Sequence, residues 1–434
     1  MQVTTAVLVV TAAIFVWGMV AARLERADLT APIVFVVVGV ILAALGLVDS
    51  STAPESLKPL VELTLVWVLF CDASRVRVPD LRHDLGRYVR LLGIGLPLTI
   101  VLGWVLALWL VSGLDVWLAL LVAAALAPTD AALGVPVVTN PTVPSRVRRL
   151  ITVESGLNDG IATPVVMVAI AGAASAEGLA EGHGVGTALV ELAVGVVVGV
   201  ALGAAGGGLL RWGRRRGWSA EDFAGVAVLA LALGSYLGAI TVGGNGFVAA
   251  FCAGLAFGAA AGRRGPAEVV FLEQVSGLVS LLVWAAFGVI AVPIMLNGLT
   301  VTIVVYAVLS LTLVRMLPVA LALIGAGLDR RSVAFIGWFG PRGLASLVFA
   351  LIAVEELGPQ AGVAVAAIAL TVFLSVLAHG ASAAPLAVRY GRSVGARESD
   401  ADSADSIVAD VPVRGLPRRP GPGEGIQETG VQGG

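Results

Sequence analysis

The sequence predicts an all-α polytopic membrane protein with about thirteen transmembrane helices, arranged as two inverted six-helix repeats. The first observation is composition, because 58% of the 434 residues are hydrophobic and only 13% are charged. This balance excludes an ordinary water-soluble domain. The second observation is a regular alternation of apolar spans with arginine-bearing loops. The third is a pair of apolar spans that proline and glycine interrupt.

Apolar segments long enough to cross a hydrocarbon layer of about 30 Å recur along almost the whole chain. They lie near residues 3–22, 31–49, 58–73, 88–112, 115–134, 149–173, 186–210, 221–241, 246–261, 271–295, 299–325, 331–354 and 361–386. Every second connecting loop is rich in arginine, whereas the intervening loops carry essentially none and only Lys58. By the positive-inside rule, this alternation predicts a multi-pass protein of the cell membrane with its N-terminus outside and its C-terminus in the cytoplasm.

The arginine-bearing loops contain Arg23 and Arg26; Arg75, Arg77, Arg82, Arg87 and Arg90; Arg146, Arg148 and Arg149; Arg211, Arg214, Arg215 and Arg216; Arg263 and Arg264; Arg330 and Arg331; and Arg389, Arg392 and Arg397. After these, the composition changes: an acidic stretch begins at Glu398, and a Pro/Gly-rich run extends from Pro417 to Gly434. Such segments are typical of disordered chain. We therefore assign residues 1–390 to a transmembrane domain and predict a disordered cytoplasmic tail at 391–434.

Two apolar spans are interrupted by residues that break helices. The fifth span contains Ala127-Pro128-Thr129-Asp130, and the twelfth contains Phe339-Gly340-Pro341-Arg342-Gly343. Unwound backbone at membrane depth survives only where it is buried in protein or lines a cavity. When the spans are grouped as two sets of six around the seventh, the fifth and twelfth are equivalent and antiparallel. Paired interruptions of this kind indicate the site of a secondary transporter, and a pair of ordinary proline kinks is the alternative.

The sixth span carries two carboxylates in the run Glu154-Ser155-Gly156-Leu157-Asn158-Asp159. Ionisable side chains at membrane depth are costly and are usually functional. On a helix, Glu154 and Asn158 share one stripe, while Ser155 and Asp159 share the next. The helix therefore presents two polar faces suited to two tasks. A polar cluster that only joins helices is the alternative interpretation.

Three charged side chains are candidates for neutralising the ends of the broken helices and each other. Asp130 and Arg342 are suited to helix ends, where partial charges of opposite sign would face each other across the gap. Arg342 could also pair with Glu154. Arg315, in the eleventh span, is predicted to neutralise a carboxylate or a helix end.

If Arg342 pairs with Glu154, Asp159 is left as a carboxylate without a fixed cation. A desolvated carboxylate of that kind binds a proton near neutral pH. The same carboxylate, joined by the Ser155 and Thr129 oxygens and by water, suits a small hard cation. A site that holds either a proton or a cation produces exchange by competition.

These motifs resemble those of the NhaP-type sodium/proton antiporters of the monovalent cation–proton antiporter family. The matching motifs are Pro128-Thr129-Asp130, Glu154-Ser155-Gly156-Leu157-Asn158-Asp159-Gly160 and Gly340-Pro341-Arg342-Gly343. The resemblance extends over roughly residues 1–390, and three motifs in order make it fairly specific. One departure is Ala131, which stands where many relatives have proline.

The resemblance implies a homodimer in which a core domain moves past a scaffold in an elevator-like manner. The core, with crossed broken helices, would comprise about 88–175 and 299–390. The dimerisation or scaffold domain would comprise about 1–87 and 186–295.

The resemblance also implies which residues bind the transported ions. Asp159 would bind the cation and the proton, and Ser155, Glu154 and Thr129 would contribute directly or through water. We place Asn158 in the same set. Asp159, Ser155 and Thr129 would be the ligands of the monovalent cation.

Two further implications concern charge. Glu154 would pair with Arg342, and Asn158-Asp159 in place of two adjacent aspartates resembles the electroneutral branch of the family. The expected activity is exchange of a monovalent cation for H⁺ at a ratio of one to one, with Na⁺ as the first candidate and Li⁺ as the second. A K⁺/H⁺ antiporter, an ion channel and a symporter of the same architecture are the alternatives.

The sequence predicts no cofactor and no metal centre, because Cys71 and Cys252 lie in apolar segments and the three histidines do not cluster. The predicted partners are the transported ions, the lipid bilayer and a second copy of the chain, without nucleic acid. An intramembrane aspartyl protease would need Asp130 and Asp159 to share a proton, which Arg342 makes a poorer interpretation. The prediction is therefore a transporter rather than an enzyme.

Overall fold

The computed structural model describes residues 2–25, 30–48, 53–76, 84–178, 185–262 and 265–394, which fold into helices and their connections. The predicted tail falls almost entirely outside the described residues, because 395–434 are not among them. Some of the loop arginines used to predict orientation also lie outside: Arg26, Arg77, Arg82, Arg263, Arg264 and Arg397. The predicted disorder of the tail and the predicted orientation therefore stay predictions.

The helices are numbered in chain order. In the first part of the chain they are α1 Gln2–Glu25, α2 Ala31–Ala44, α3 Ala53–Arg75, α4 Leu85–Leu110, α5 Val116–Leu126, α6 Val135–Val138 and α7 Ser145–Ala176. In the second part they are α8 Val185–Arg215, α9 Glu221–Thr241, α10 Gly246–Ala260, α11 Gly265–Asn297, α12 Val301–Ala322, α13 Arg330–Trp338, α14 Leu344–Leu357 and α15 Gly362–Val394.

The apolar helices confirm the predicted class, an all-helical polytopic membrane protein. Within the described residues, eight segments are long and apolar enough to cross a membrane, and the last of them contains both α14 and α15. The helices α2, α5 and α10 are apolar but shorter. Large apolar side chains such as Trp109, Phe223 and Met19 are exposed on the outside of the bundle, where a bilayer would cover them. The predicted number of thirteen spans stays a prediction.

Polar residues at the helix starts explain several of the boundaries. Asp115 accepts a hydrogen bond from the Leu118 N–H at the start of α5, and Asn245 accepts one from the Val248 N–H at the start of α10. Asp329 does the same for Ser332 at the start of α13. Each side chain satisfies an amide that has no partner inside its own helix, so these helices begin at defined positions even in apolar surroundings.

Small residues allow close packing of α8 against α10. A Cβ atom added at Gly199 or Gly203 would lie 2.3 or 2.2 Å from the carbonyl oxygens of Ala249 and Ala253. Only glycine fits at such positions, and helix pairs of this kind rely on van der Waals contact between backbones. The helix α7 packs against α3, α5 and α14, and α15 packs against α5, α11, α12 and α14. This arrangement surrounds the two interrupted spans with helices.

Candidate ion-binding site

The first break, residues 127–130, separates α5 from a 3₁₀ turn, Ala131–Gly134, that leads into α6. It lies where the sequence predicts an interruption in the fifth span. Pro128 has no N–H and cannot continue the hydrogen-bond ladder of α5. Asp130 then accepts a hydrogen bond of 2.8 Å from the Ala132 N–H and so begins the following turn.

The second break, residues 339–343, separates α13 from α14 and lies in the predicted interruption of the twelfth span. Its two glycines allow other groups to approach closely. A Cβ atom at Gly343 would lie 2.2 Å from Asp130 Oδ2, and a Cβ atom at Gly340 would lie 2.5 Å from Arg315 Nε. A larger residue at Gly343 would displace Asp130 of the first break, and one at Gly340 would displace Arg315 and also Thr129, whose Cγ2 atom would lie 2.9 Å away.

The two breaks contact each other through backbone and side chains. The Asp130 N–H donates to the Pro341 carbonyl at 2.8 Å, and the Leu344 N–H donates to Asp130 Oδ2 at 3.2 Å. In return, Arg342 Nη1 donates to the carbonyls of Ala127 and Pro128 at 2.8 and 3.0 Å. The acidic side chain thus lies at the N-terminal ends of helical segments and the basic side chain at the C-terminal end of α5, as the helix dipole favours.

Glu154 pairs with Arg315 and not with Arg342, which corrects the predicted pairing. Arg315 Nη1 and Nη2 donate to the two carboxylate oxygens of Glu154 at 2.6 and 2.9 Å, and both side chains are buried. The planar guanidinium of Arg315 on α12 matches the carboxylate with two parallel bonds. Arg342 is held at the end of α5 by the carbonyls of Ala127 and Pro128.

Hydroxyl and amide groups join the first break to α7. Thr129 Oγ1 lies 2.8 Å from Ser155 Oγ and accepts a hydrogen bond of 2.7 Å from Asn158 Nδ2. All three side chains are buried. Asn158 Oδ1 is buried as well and has no hydrogen-bond partner within the described part of the chain. The Asn158 Oδ1 atom can therefore accept a hydrogen bond or coordinate a cation in this cluster.

Asp159 lies one helical turn beyond Ser155 on the same stripe of α7, and its side chain is only 7% exposed. Its backbone carbonyl accepts a hydrogen bond from Thr163. On α7, Ser155 and Asn158 thus contact Thr129, and Glu154 binds Arg315. A carboxylate beside hydroxyl and amide oxygens is a ligand set for a hard cation of low charge.

Some polar residues near the breaks were not identified from the sequence. Ser346 Oγ donates to the Ala125 carbonyl at 2.6 Å, and Ser375 Oγ accepts from the Arg342 N–H at 2.7 Å. His379 lies one turn beyond Ser375 on α15 and is buried. The signal that could have identified them is the spacing of Ser375 and His379, since two polar residues four apart in an apolar span share one face.

A separate charged cluster lies at the start of α3. Lys58 forms an ion pair with Glu355 near the end of α14 and approaches Glu356 at 3.5 Å. Tyr236 of α9 donates a hydrogen bond of 3.0 Å to Glu62 Oε2. No role could be assigned to Glu62 from the sequence, and the structure shows that Tyr236 is its hydrogen-bond partner. It shares no residue with the two breaks.

The family described as "Sodium/hydrogen exchanger, transmembrane" matches residues 9–389 of this chain. Among solved structures, the sodium proton antiporter MjNhaP1 from Methanocaldococcus jannaschii at pH 8 is similar over 90% of this chain and 100% of its own, with 22% identity and a TM-score of 0.72. An electron-microscopy structure of the same antiporter is similar over 92% of this chain and 99% of its own, with 20% identity and a TM-score of 0.68.

These structures show a shared fold, and the family match covers most of the chain. The resemblance inferred from the three motifs is thereby confirmed, as is the prediction of a transporter rather than an enzyme. The chain belongs to the sodium/hydrogen exchanger family.

Proposed function

We propose that this protein exchanges one monovalent cation, with Na⁺ as the first candidate and Li⁺ as the second, for one H⁺ across the cell membrane by alternating access. Asp159 binds either ion in turn. The observation that carries the proposal is the pair of Thr129 and Ser155 hydroxyls, 2.8 Å apart, with the buried carboxylate of Asp159 one helical turn beyond Ser155. These are the oxygen ligands that a small hard cation prefers.

The charge on Glu154 supports the choice of Asp159. Arg315 donates two hydrogen bonds to Glu154, so the negative charge of that carboxylate is compensated by a fixed cation. The carboxylate oxygens of Glu154 are thus occupied by a neighbouring side chain, which makes Glu154 a poorer ligand for a transported ion. Asp159 is buried one helical turn beyond Ser155 on α7, and it is the carboxylate at which a proton and a cation compete in this proposal.

The amide of Asn158 supports the same site. Its Nδ2 group is engaged by Thr129, while its Oδ1 atom is buried without a hydrogen-bond partner in the described residues. Buried acceptor oxygens are nearly always satisfied in folded proteins. A bound cation, or a water molecule in its shell, would satisfy this oxygen, and Asn158 thus completes the set with Asp159, Ser155 and Thr129.

We further propose the architecture that the sequence predicts: thirteen spans in two inverted repeats, crossed broken helices, and a homodimer with the N-terminus outside and the C-terminus in the cytoplasm. A core at about 88–175 and 299–390 would move past a scaffold at about 1–87 and 186–295. The contact between the two breaks through Asp130 and Pro341 supports the crossing. The similarity to MjNhaP1, itself described as a sodium proton antiporter, supports the overall plan.

Replacement of Asp159 tests the proposal directly. We expect Asp159→Asn to abolish cation-driven pH change in proteoliposomes, because an amide keeps the shape of the side chain but neither titrates nor neutralises a cation. Asp115→Asn is the matched control, since Asp115 lies at the start of α5 and asparagine caps helices equally well. Exchange at the wild-type rate in Asp159→Asn would move the site elsewhere, first to Asp130.

The choice of cation and of mechanism is tested in the same vesicles. Dequenching of a pH dye on adding Na⁺, Li⁺ or K⁺ in turn ranks the cations. A larger response to K⁺ than to Na⁺ would favour the K⁺/H⁺ antiporter. Cation flux without proton movement would indicate a channel, and flux of cation and proton in the same direction would indicate a symporter.

The ratio of one to one follows from a single titrating carboxylate, since Asn158 stands beside Asp159 in place of a second aspartate. The loaded site then carries the same net charge in both directions. Moving one net charge would be worth about 2.3 kcal/mol per 100 mV, and exchange would follow the membrane potential. We expect Na⁺/H⁺ exchange to be unaffected by a potassium–valinomycin potential. An end point that follows the potential would reject this ratio.

A further inference from the structure

One turn of α15, residues 375–379, contacts the backbone at both ends of the second break. Ser375 Oγ accepts from the Arg342 N–H at 2.7 Å, and His379 Nε2 lies 2.8 Å from the Trp338 carbonyl at the end of α13. Both partners are backbone groups that lose their helical partners where a helix is interrupted. Ser375 therefore satisfies the Arg342 N–H, and His379 is a second partner of the Trp338 carbonyl, which also accepts from the Gly340 N–H at 2.8 Å.

The hydrogen bonds of this turn form a connected set. His379 Nε2 lies 2.8 Å from the Trp338 carbonyl oxygen, and His379 Nδ1 lies 2.9 Å from the Ser375 backbone carbonyl oxygen and 3.2 Å from Ser375 Oγ. The same hydroxyl oxygen accepts from Arg342. The connected set thus runs from the Arg342 N–H through Ser375 to His379 and then to the end of α13. Such a connected set of buried bonds fixes a unique backbone position.

Stacking adds to these bonds. The rings of Trp338 and His379 are stacked with their centroids 5.2 Å apart, and Trp338 Nε1 donates to Ser382 Oγ at 3.0 Å. The end of α13 is therefore fixed to α15 by a ring contact and by hydrogen bonds on both sides. His379 itself is 1% exposed, so its imidazole is shielded from solvent.

The position of Arg342 is transmitted to the candidate cation site. Its guanidinium donates to the Ala127 and Pro128 carbonyls, directly before Thr129, whose hydroxyl lies 2.8 Å from Ser155 Oγ. A shift of the second break therefore moves the end of α5 and with it a proposed ligand. We propose that Ser375 and His379 are positioning residues that set cation affinity by holding Arg342. This inference rests on the proposed function.

The variants separate positioning from general stability. Ser375→Ala removes the hydrogen-bond partner of the Arg342 N–H. His379→Leu removes the contacts of the imidazole with the Trp338 carbonyl and with Ser375, whereas His379→Gln keeps an amide N–H that can donate to the Trp338 carbonyl. Thr371→Val is the matched control. Thr371 is buried one turn earlier on α15, and its hydroxyl donates only within the helix, to Ala367.

The experiment measures the KM for Na⁺ and the maximal rate in proteoliposomes with equal amounts of folded protein. We expect His379→Leu and Ser375→Ala to raise the KM about tenfold. We expect His379→Gln to stay within about threefold of the wild type, and Thr371→Val to leave the KM unchanged. A KM unchanged in both His379→Leu and Ser375→Ala would overturn the proposal, as would a loss equal to theirs in Thr371→Val.

A measurement without transport keeps the two proposals separate. Deuterium uptake is followed at 339–343 and at 127–130 in folded wild-type protein, Ser375→Ala and Thr371→Val. Faster uptake at both breaks in Ser375→Ala alone supports positioning even if the wild type exchanges no cation, which would reject the proposed function only. Unchanged uptake at 127–130 would overturn positioning, whatever the transport result.

Discussion

Two buried arginines of this protein are compensated in different ways. Arg315 directs both of its Nη groups to one carboxylate, that of Glu154. Arg342 directs one Nη group to two backbone carbonyls at the end of α5. Burying a guanidinium is costly unless it is paired. Arg315 is thus balanced by a full negative charge, and Arg342 by the partial charges of a helix end, equivalent to roughly half a charge.

This difference suggests that Arg315 mainly stabilises the fold, whereas Arg342 mainly affects the binding of the transported ion. The pair of Arg315 and Glu154 joins α12 to α7 by two side chains of fixed geometry. The bonds of Arg342 join backbone segments that are already unwound, and a shift of α5 changes their lengths gradually. We therefore expect the free energy of folding to depend chiefly on Arg315, and the transported-ion affinity chiefly on Arg342.

The largest effect is expected at Arg315. We expect Arg315→Ala and Glu154→Ala each to lower the stability by about 3–5 kcal/mol, because each leaves an uncompensated buried charge. The double variant should lose clearly less than the sum of the two. The measurement is thermal unfolding of the purified protein in detergent. If the two losses add, the pair is not an energetic unit, and the contrast with Arg342 fails.

Arg342 should behave differently in the same measurement. We expect Arg342→Ala to cost about 1–3 kcal/mol, since it leaves carbonyl oxygens rather than an ionised group without a partner. Coupling between Arg342 and Glu154 should be smaller than that between Arg315 and Glu154. If the coupling energy between Arg342 and Glu154 is as large as that between Arg315 and Glu154, Glu154 pairs with Arg342, as the sequence motifs predict.

Substitution by lysine sharpens the comparison. An ammonium group has three donors and can serve the two carbonyls now bound by one Nη atom, but it cannot form the two parallel bonds that Glu154 receives. We expect Arg342→Lys to recover more than half of the stability lost in Arg342→Ala, and Arg315→Lys to recover less than half of that lost in Arg315→Ala. The opposite order would show that geometry does not distinguish the two sites.

The interruptions could be predicted from the sequence because they are local. Pro128 and the run Gly340-Pro341 each place a proline, which removes a helical hydrogen bond, directly beside polar or charged residues. Proline alone is not enough, because Pro164 lies inside α7 and Pro385 inside α15. The stripe of Ser155 and Asp159 is equally local, since helical spacing places residues four apart on one face. These features needed no knowledge of which helices pack together.

The partner of Glu154 could not be predicted in this way. Arg315 and Arg342 both lie in apolar spans, and either could reach a carboxylate on α7. The choice depends on how α12 and the second break approach α7, which only tertiary packing determines. The same holds for Ser375 and His379, whose partners lie about 33 to 41 residues away along the chain.

The smallest effect is expected for the ion pair of Lys58 and Glu355, which joins α3 to α14. Its side chains are 37% and 19% exposed, so solvent weakens the attraction. We expect Lys58→Ala to cost about 0–1 kcal/mol. The cost should shrink further in concentrated choline chloride, which screens charge without adding the proposed transported cation. The coupling of Arg315 and Glu154 should not respond to that salt, because both groups are buried. Equal salt dependence of the two pairs would mean that burial does not determine how strongly solvent and salt weaken an ion pair in this protein. The distinction between the buried arginines and this partly exposed pair would then have no energetic basis.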